Sequence, residues 1–265
     1  MFKRSLVAAL LLATGFATYS SADHSWGNYH WARTNSFTLQ ADDNVSSAWD
    51  VYLDYAIADW SVSGVLDLVK GTAGTSPSTC TPTAGRIEVC SYAYGKGKRW
   101  LGLAQIWVSG SHITQATAKM NDTWFNTTTY NRPEWRRMVM CQELAHDFGL
   151  DHQDENFYNT NLGSCMDYTN NPLGPPPNVQ PNAHDYDQMV LIYAHGDDTT
   201  TVASATLPRA MPPAMGQIDF DTPAQWGRLV RSNANGRVQE FELDFGGGHR
   251  VITHVFWADP QGDAR

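Results

Sequence analysis

A short segment in the second half of the chain carries side chains whose types and spacing suit a metal centre. Glu143, His146 and His152 occur within ten residues, with Gly149 between the two histidines. Residues four apart share one helix face, so His146 lies on the face of position 142, with Glu143 beside them. His152 reaches the same point only if the helix ends, which a glycine at 149 allows. The spacing therefore predicts two imidazole ligands next to a carboxylate.

The segment C-Q-E-L-A-H-D-F-G-L-D-H at 141–152, followed by S-C-M-D-Y at 164–168, resembles the metzincin zinc peptidases. The signature of that family is H-E-x-x-H-x-x-G-x-x-H followed by a methionine turn. The matching positions are held by Glu143, His146, Gly149, His152 and Met166. Gln142 stands where the family has its first histidine. The resemblance covers residues 23–196 and does not extend beyond them.

This resemblance implies a secreted metallopeptidase that hydrolyses peptide bonds with water activated by one catalytic zinc ion. Glu143 is then the general base, and His146 and His152, together with Gln142, face the metal. Met166 forms an apolar floor beneath the site, and Tyr168 serves as an extra ligand or oxyanion donor. The expected partner is a peptide or protein substrate.

The glutamine at position 142 leaves several ways to complete the metal shell. An amide oxygen is a weaker zinc donor than an imidazole nitrogen, so Gln142 should lower the affinity for zinc. Gln142 could coordinate through its oxygen, or Tyr168 or another side chain could complete the shell. Alternatively, the protein is a catalytically degenerate member of the fold that binds polypeptides without cleaving them. The peptidase is the preferred hypothesis, because a site without catalysis has no need of the Glu143 carboxylate.

Four other histidines are predicted not to bind the metal. They are His184, His195, His249 and His254. The aspartates around the motif predict a solvated acidic rim, with Ca²⁺ binding as the less favoured alternative. These aspartates are Asp147, Asp151 and Asp154.

The four cysteines are expected to form two disulfides, because an even cysteine count is typical of exported proteins. Cys80 and Cys90 flank the turn-forming segment T-P-T-A-G, which predicts a local bridge and leaves Cys141 to pair with Cys165. The second bridge would join the motif helix to the methionine turn. Thiolate coordination of the metal by Cys141 is the alternative.

The first residues and the charge favour an exported globular protein. Lys3 and Arg4 precede an apolar stretch, and small residues follow at 20–22, which is typical of a signal peptide covering residues 1–22. The mature protein is then secreted, either extracellular or periplasmic, without a membrane span. A net charge of -9 argues against a nucleic-acid partner.

Hydrophobic periodicity predicts the elements that must position the motif. The resemblance implies that they form an α+β fold with a twisted mixed sheet. A helix at 46–60 accompanies about four or five strands, among them runs at 65–69, 86–94, 101–108 and 113–120. The motif helix begins at Pro133, and a C-terminal helix begins near His184. The predicted organisation is a metallopeptidase domain at 23–196, a linker at 197–215 and a small three-stranded β extension at 216–265.

Overall fold

The computed structural model describes residues 24–203, 212–216 and 220–259. The predicted signal peptide lies outside the described residues, as do residues 204–211 of the predicted linker. In the described part, the chain combines a few helices with one large mixed sheet. The sheet is larger than predicted because strands from the C-terminal part join it.

Nine strands occur among the described residues, and they all belong to this sheet. They are β1 (His30–Trp31), β2 (Phe37–Asn44), β3 (Leu66–Gly71), β4 (Ile87–Tyr92), β5 (Trp100–Ser109), β6 (His112–Asn121), β7 (Arg228–Ser232), β8 (Val238–Asp244) and β9 (His249–Trp257). Their order is β3, β2, β4, β6, β5, β9, β8, β7, with the short β1 beside the start of β6.

The sheet changes from parallel to antiparallel pairing between β6 and β5. Strands β1 to β4 and β6 pair in parallel, whereas β5, β9, β8 and β7 pair with their neighbours in the antiparallel sense. Strand β5 lies between β6 and β9 and is buried over nearly its whole length. Its almost continuous apolar sequence is typical of a strand that is covered on both faces.

Four α-helices flank the sheet in the described residues: α1 (Asp50–Trp60), α2 (Asp122–Phe125), α3 (Pro133–His146) and α4 (Ala183–Ile192). Helix α3 starts at the predicted proline, whose fixed φ suits the first turn. The indole Nε1 of Trp60 donates to the carbonyl oxygen of Cys141 at 3.0 Å, which joins α1 to α3. Helix α4 begins with a capping box between Asn182 and Asp185.

The C-terminal strands extend the main sheet. Strand β9 pairs with the full length of β5, from Trp100 beside Trp257 to Ser109 beside His249. Ion pairs also join the outermost strand to the rest of the protein, because Arg231 on β7 pairs with Asp151 and with Glu155. The predicted three-stranded extension is therefore packed against the end of the motif segment and the residues that follow it.

Both predicted disulfides are present, Cys80–Cys90 and Cys141–Cys165. The second bridge joins α3 to the turn that contains Met166, so the thiol of Cys141 is not available as a metal ligand. Among the helices of the described residues, none combines the length and the apolar composition that crossing a bilayer requires.

Candidate metal centre

The C-terminal end of α3 and the chain reversal after it bring His146 and His152 together. Gly149 has a φ of +99°, in the left-handed region that favours glycine, and a Cβ there would collide with the carbonyl oxygen of Tyr29. The reversal turns the chain back on the helix, so the rings of His146 and His152 lie 4.6 Å apart, centroid to centroid. The structure thus brings together the two histidines that the motif spacing predicts as neighbours.

A third histidine, His254, joins this pair from strand β9. Its Nε2 lies 2.7 Å from Nε2 of His152, and its ring centroid is 3.9 Å from that of His146. Ligand nitrogens of the three rings all lie within 4.8 Å of one another. The structure therefore places His254 in the same buried group as the two motif histidines, so the prediction that His254 lies outside this group is wrong.

The pairing of β9 with β5 explains why His254 points into the site. His254 is the register partner of Ala104, and it lies between Ile252 and Phe256 in the alternation of β9. Both of these neighbours belong to the main hydrophobic core, which includes α3. The sequence signal that could have identified this residue is a histidine that alternates with apolar residues on the inward face of a strand.

The side-chain amide of Gln142 forms a hydrogen bond through its nitrogen atom. Its side-chain Nε2 donates to the carbonyl oxygen of Cys165 at 2.9 Å. Its Oε1 atom is buried and has no hydrogen-bond partner among the described residues. The amide therefore links α3 to the methionine turn, alongside the Cys141–Cys165 disulfide.

The imidazole of His146 is oriented by the backbone so that one nitrogen is left for a metal. Its Nδ1 lies 2.7 Å from the carbonyl oxygen of Leu150, which can only accept, so Nδ1 carries the proton. The lone pair of the neutral ring is then on Nε2, which is buried and has no partner in the described part of the chain. This is the arrangement that metal-binding histidines adopt.

Burial keeps all three imidazoles neutral, which is the form that binds metals. It lowers the pKa of His146 to about 3 and the pKa values of His152 and His254 well below the ordinary value. The positive charge that each ring would gain on protonation also disfavours protonation of its neighbours. The donor set thus fits a transition-metal ion such as zinc, whereas Ca²⁺ prefers oxygen ligands.

Glu143 lies next to these rings, and its carboxylate forms no hydrogen bond with the described residues. Its Oε2 is 3.6 Å from Nδ1 of His254, and neither carboxylate oxygen has a hydrogen-bond partner among the described residues. Burial raises the pKa of Glu143 well above its ordinary value. Gly102 of β5 makes room for the group, since a Cβ at that position would collide with the carboxylate.

The methionine turn supplies a hydroxyl group to the cluster. The Oη atom of Tyr168 lies 3.0 Å from Nε2 of His152 and 3.1 Å from Nε2 of His254. Burial raises the pKa of this phenol well above its ordinary value, so the hydroxyl is protonated and can donate. Met166 is fully buried in the core, and its amide donates to Oγ of Ser164 at 2.8 Å.

The three histidines and the side chains beside them are enclosed in the protein interior. The residues Glu143, His146, His152, Tyr168 and His254 are at most 6% exposed. Part of the cover is Trp26, whose ring meets His146 and His254 edge-on. The amide of Trp26 donates to the carbonyl oxygen of Gly149 at 2.8 Å, which attaches this cover to the chain reversal.

The prediction of a solvated acidic rim is wrong for Asp147, which is completely buried. Burial and the nearby Glu143 raise the pKa of Asp147 well above its ordinary value. Asp151 is neutralised by its ion pair with Arg231. Of the other histidines left out of the ligand set, His184 stacks on His24, and His249 begins β9.

Comparisons of the chain with protein-family models and with curated proteins find no match to either.

Proposed function

We propose that this protein is a secreted, zinc-dependent peptidase of the metzincin type, with His146, His152 and His254 as its metal ligands. One observation carries the proposal: the three imidazoles converge beside the buried carboxylate of Glu143, which lies 3.6 Å from His254 and has no hydrogen-bond partner among the described residues. Three protein ligands with one open position are typical of catalytic zinc sites. In this proposal, His254 takes the place of the histidine that is absent at position 142.

In this proposal, Glu143 and Tyr168, which lie beside the three imidazoles, carry out proton transfer and hydrogen-bond donation. When bound, zinc acts as a Lewis acid that polarises the scissile carbonyl and makes water more acidic. Glu143 takes up the proton of the attacking water and delivers it to the leaving amine, a role that suits a carboxylate with a raised pKa. Tyr168 donates its hydroxyl proton in a hydrogen bond to the oxygen that gains negative charge.

A second candidate function is binding of a metal and of polypeptides without cleavage. The observation that favours it is the enclosure of the site: Glu143 is 0% exposed, and the ring of Trp26 covers those of His146 and His254. Peptide hydrolysis requires that part of this cover moves aside. Trp26 is the part of the cover that is neither a ligand nor part of a strand.

Export is part of the proposal and is supported by the two disulfides, which form and persist in oxidising compartments. The protein for biochemical tests should therefore be produced by secretion, so that Cys141 and Cys165 are oxidised.

The test measures zinc content and cleavage of a peptide library for the wild type and for His254→Ala, His146→Ala and His249→Ala. His249 lies on the same strand as His254 but outside the cluster, so His249→Ala is the matched control. We expect zinc-dependent cleavage that is lost in both cluster variants and kept in the control. Zinc binding without cleavage under all conditions would favour the second candidate, and full activity of His254→Ala would overturn the proposed ligand set.

A further inference from the structure

A second group of histidines lies away from the first and shares no residue with it. Nε2 atoms of three imidazoles approach a single carboxylate oxygen, Oδ1 of Asp197. The distances to this oxygen are 3.5 Å for His30, 3.3 Å for His112 and 3.8 Å for His195. Nε2 of His195 also lies 3.1 Å from Nε2 of His30. Four potential metal donors thus face one another.

Three of these donors, from His30, His112 and Asp197, all lie within 4.8 Å of one another, and His195 approaches two of them. Bonds of about 2.0–2.1 Å in a tetrahedral zinc site place neighbouring donor atoms about 3.3 Å apart. Oδ1 of Asp197 lies 3.3–3.8 Å from Nε2 of the three histidines, and the Nε2 atoms of His30 and His195 are 3.1 Å apart. Three imidazole nitrogens and one carboxylate oxygen also form a donor set that zinc accepts, and such four-residue sets are typical of structural sites.

The fold brings the four side chains together from three places in the sequence. His30 and His112 are register partners in the parallel pairing of β1 with β6, so their side chains emerge side by side. His195 and Asp197 lie in the turn after α4. This turn is held against the segment after β1, because the amide of Asp197 donates to the carbonyl oxygen of Arg33 at 2.7 Å.

Backbone contacts orient the donor atoms before any ion binds. Nδ1 of His30 lies 2.8 Å from the carbonyl oxygen of Asn28, so Nδ1 donates and Nε2 of the neutral ring offers a lone pair. Oδ2 of Asp197 accepts from the amide of Arg33 at 2.9 Å, which leaves Oδ1 facing the three histidines. A lone pair and a carboxylate oxygen facing each other repel unless a proton or a cation lies between them.

We propose that His30, His112, His195 and Asp197 form a second, structural metal site that binds a divalent transition-metal ion, with zinc as the expected ion. This site is independent of the proposed peptidase function. Its ion joins the turn after α4 to β1 and β6. Through β1 it also supports the first site, because the indole of Trp31 donates to the carbonyl oxygen of Asp147 at 2.8 Å, at the end of α3.

The test uses the full-length, disulfide-bonded protein, stripped of metal with a chelator and titrated with Zn²⁺. We expect two ions per chain in the wild type. His195→Ala and Asp197→Asn should each weaken the binding of one ion by about 100-fold or more, beyond the roughly 10–100-fold that loss of an outer partner costs. The side chain of His195 is 54% exposed, so its removal leaves the core intact.

Two further variants separate the sites. His254→Ala should lose the ion of the first site and keep the second ion, while His249→Ala, outside both groups, should keep both. Zinc should also raise the Tm of His254→Ala, and this rise should disappear when His195→Ala is added. Wild-type zinc affinity and stoichiometry in both His195→Ala and Asp197→Asn would overturn the second site without affecting the proposed function. An ion that survives His254→Ala but not Asp197→Asn supports the second site, whether or not the protein cleaves peptides.

Discussion

The Nε2 atoms of His152 and His254 lie 2.7 Å apart although 102 residues separate them in the chain. His152 follows the motif helix, and His254 lies on the strand that the C-terminal part adds to the sheet. The pairing of β9 with β5 therefore determines the composition of the first histidine group. This relationship leads to predictions about residues on both sides of the contact.

Replacing His254 should affect metal binding, whereas replacing Gln142 should affect only stability. His254→Ala should remove zinc from the first site, because one of three imidazoles is lost. Gln142→Ala should leave the zinc stoichiometry unchanged and lower the free energy of unfolding by about 1–3 kcal/mol, because a buried carbonyl loses its hydrogen-bond donor. Zinc titration and chemical denaturation of both variants would check this. Loss of zinc in Gln142→Ala with normal binding in His254→Ala would instead restore Gln142 as the ligand.

Replacing Glu143 should separate metal binding from cleavage. Glu143→Gln keeps the size of the side chain and removes its ability to accept a proton, so peptide hydrolysis should fall by about 100-fold or more. Zinc content should not change, since Glu143 is not part of the ligand set. Parallel measurements of kcat/KM and metal content would check this, with Glu134→Gln on the first turn of the same helix as the control. Unchanged hydrolysis in Glu143→Gln would exclude its role as general base.

Removing the C-terminal strands should destroy the first site and expose a sheet edge. A chain that ends at residue 203 lacks His254 and leaves the backbone of β5 without its partner strand. An exposed apolar edge promotes association with other chains. We therefore expect aggregation and loss of zinc binding at the first site, measured by size-exclusion chromatography and zinc titration. A control chain that ends at residue 259 should remain intact. A monomeric, folded short chain that still binds zinc at the first site would show that β7–β9 are dispensable.

The buried Asp185 should make stability depend on pH. Burial raises the pKa of Asp185 from 3.8 to about 6. The hydrogen bonds that its carboxylate accepts from the hydroxyl of Ser164 and the amide of Asn182 lower this pKa, as does the charge of His184, but burial has the larger effect. Nε2 of His24 is also 3.6 Å from its Oδ1. Between pH 4 and pH 6 the folded protein therefore retains a proton that the unfolded chain releases. The contribution of Asp185 to the free energy of unfolding should fall over this range as the pH rises, by about 2 kcal/mol.

The measurement is the difference in unfolding free energy between the wild type and Asp185→Asn at a series of pH values. The variant cannot titrate at this position, so the wild type should lose stability relative to it as the pH rises from 4 to 6. Asp187→Asn, on the exposed face of the same helix, should show no such trend. A difference that is constant with pH would mean that Asp185 has an ordinary pKa.

The sequence by itself determined the features that depend on neighbouring residues. The helix from Pro133, the reversal at Gly149 and the approach of His146 to His152 follow from helical periodicity and from the conformational freedom of glycine. The two disulfides followed from the count and spacing of four cysteines in a chain with a predicted signal peptide.

Only the tertiary structure decided which distant side chains complete each group. His254 comes to His152 through a strand pairing, and Asp197 comes to His112 through the turn after α4; no local pattern encodes either contact. The sequence also could not show that Asp147 is buried or that the side chain of Gln142 donates a hydrogen bond to the carbonyl oxygen of Cys165, because both depend on how α3 packs against later segments. Contacts between distant segments form only when the whole sheet assembles, so their partners cannot be deduced from spacing along the chain.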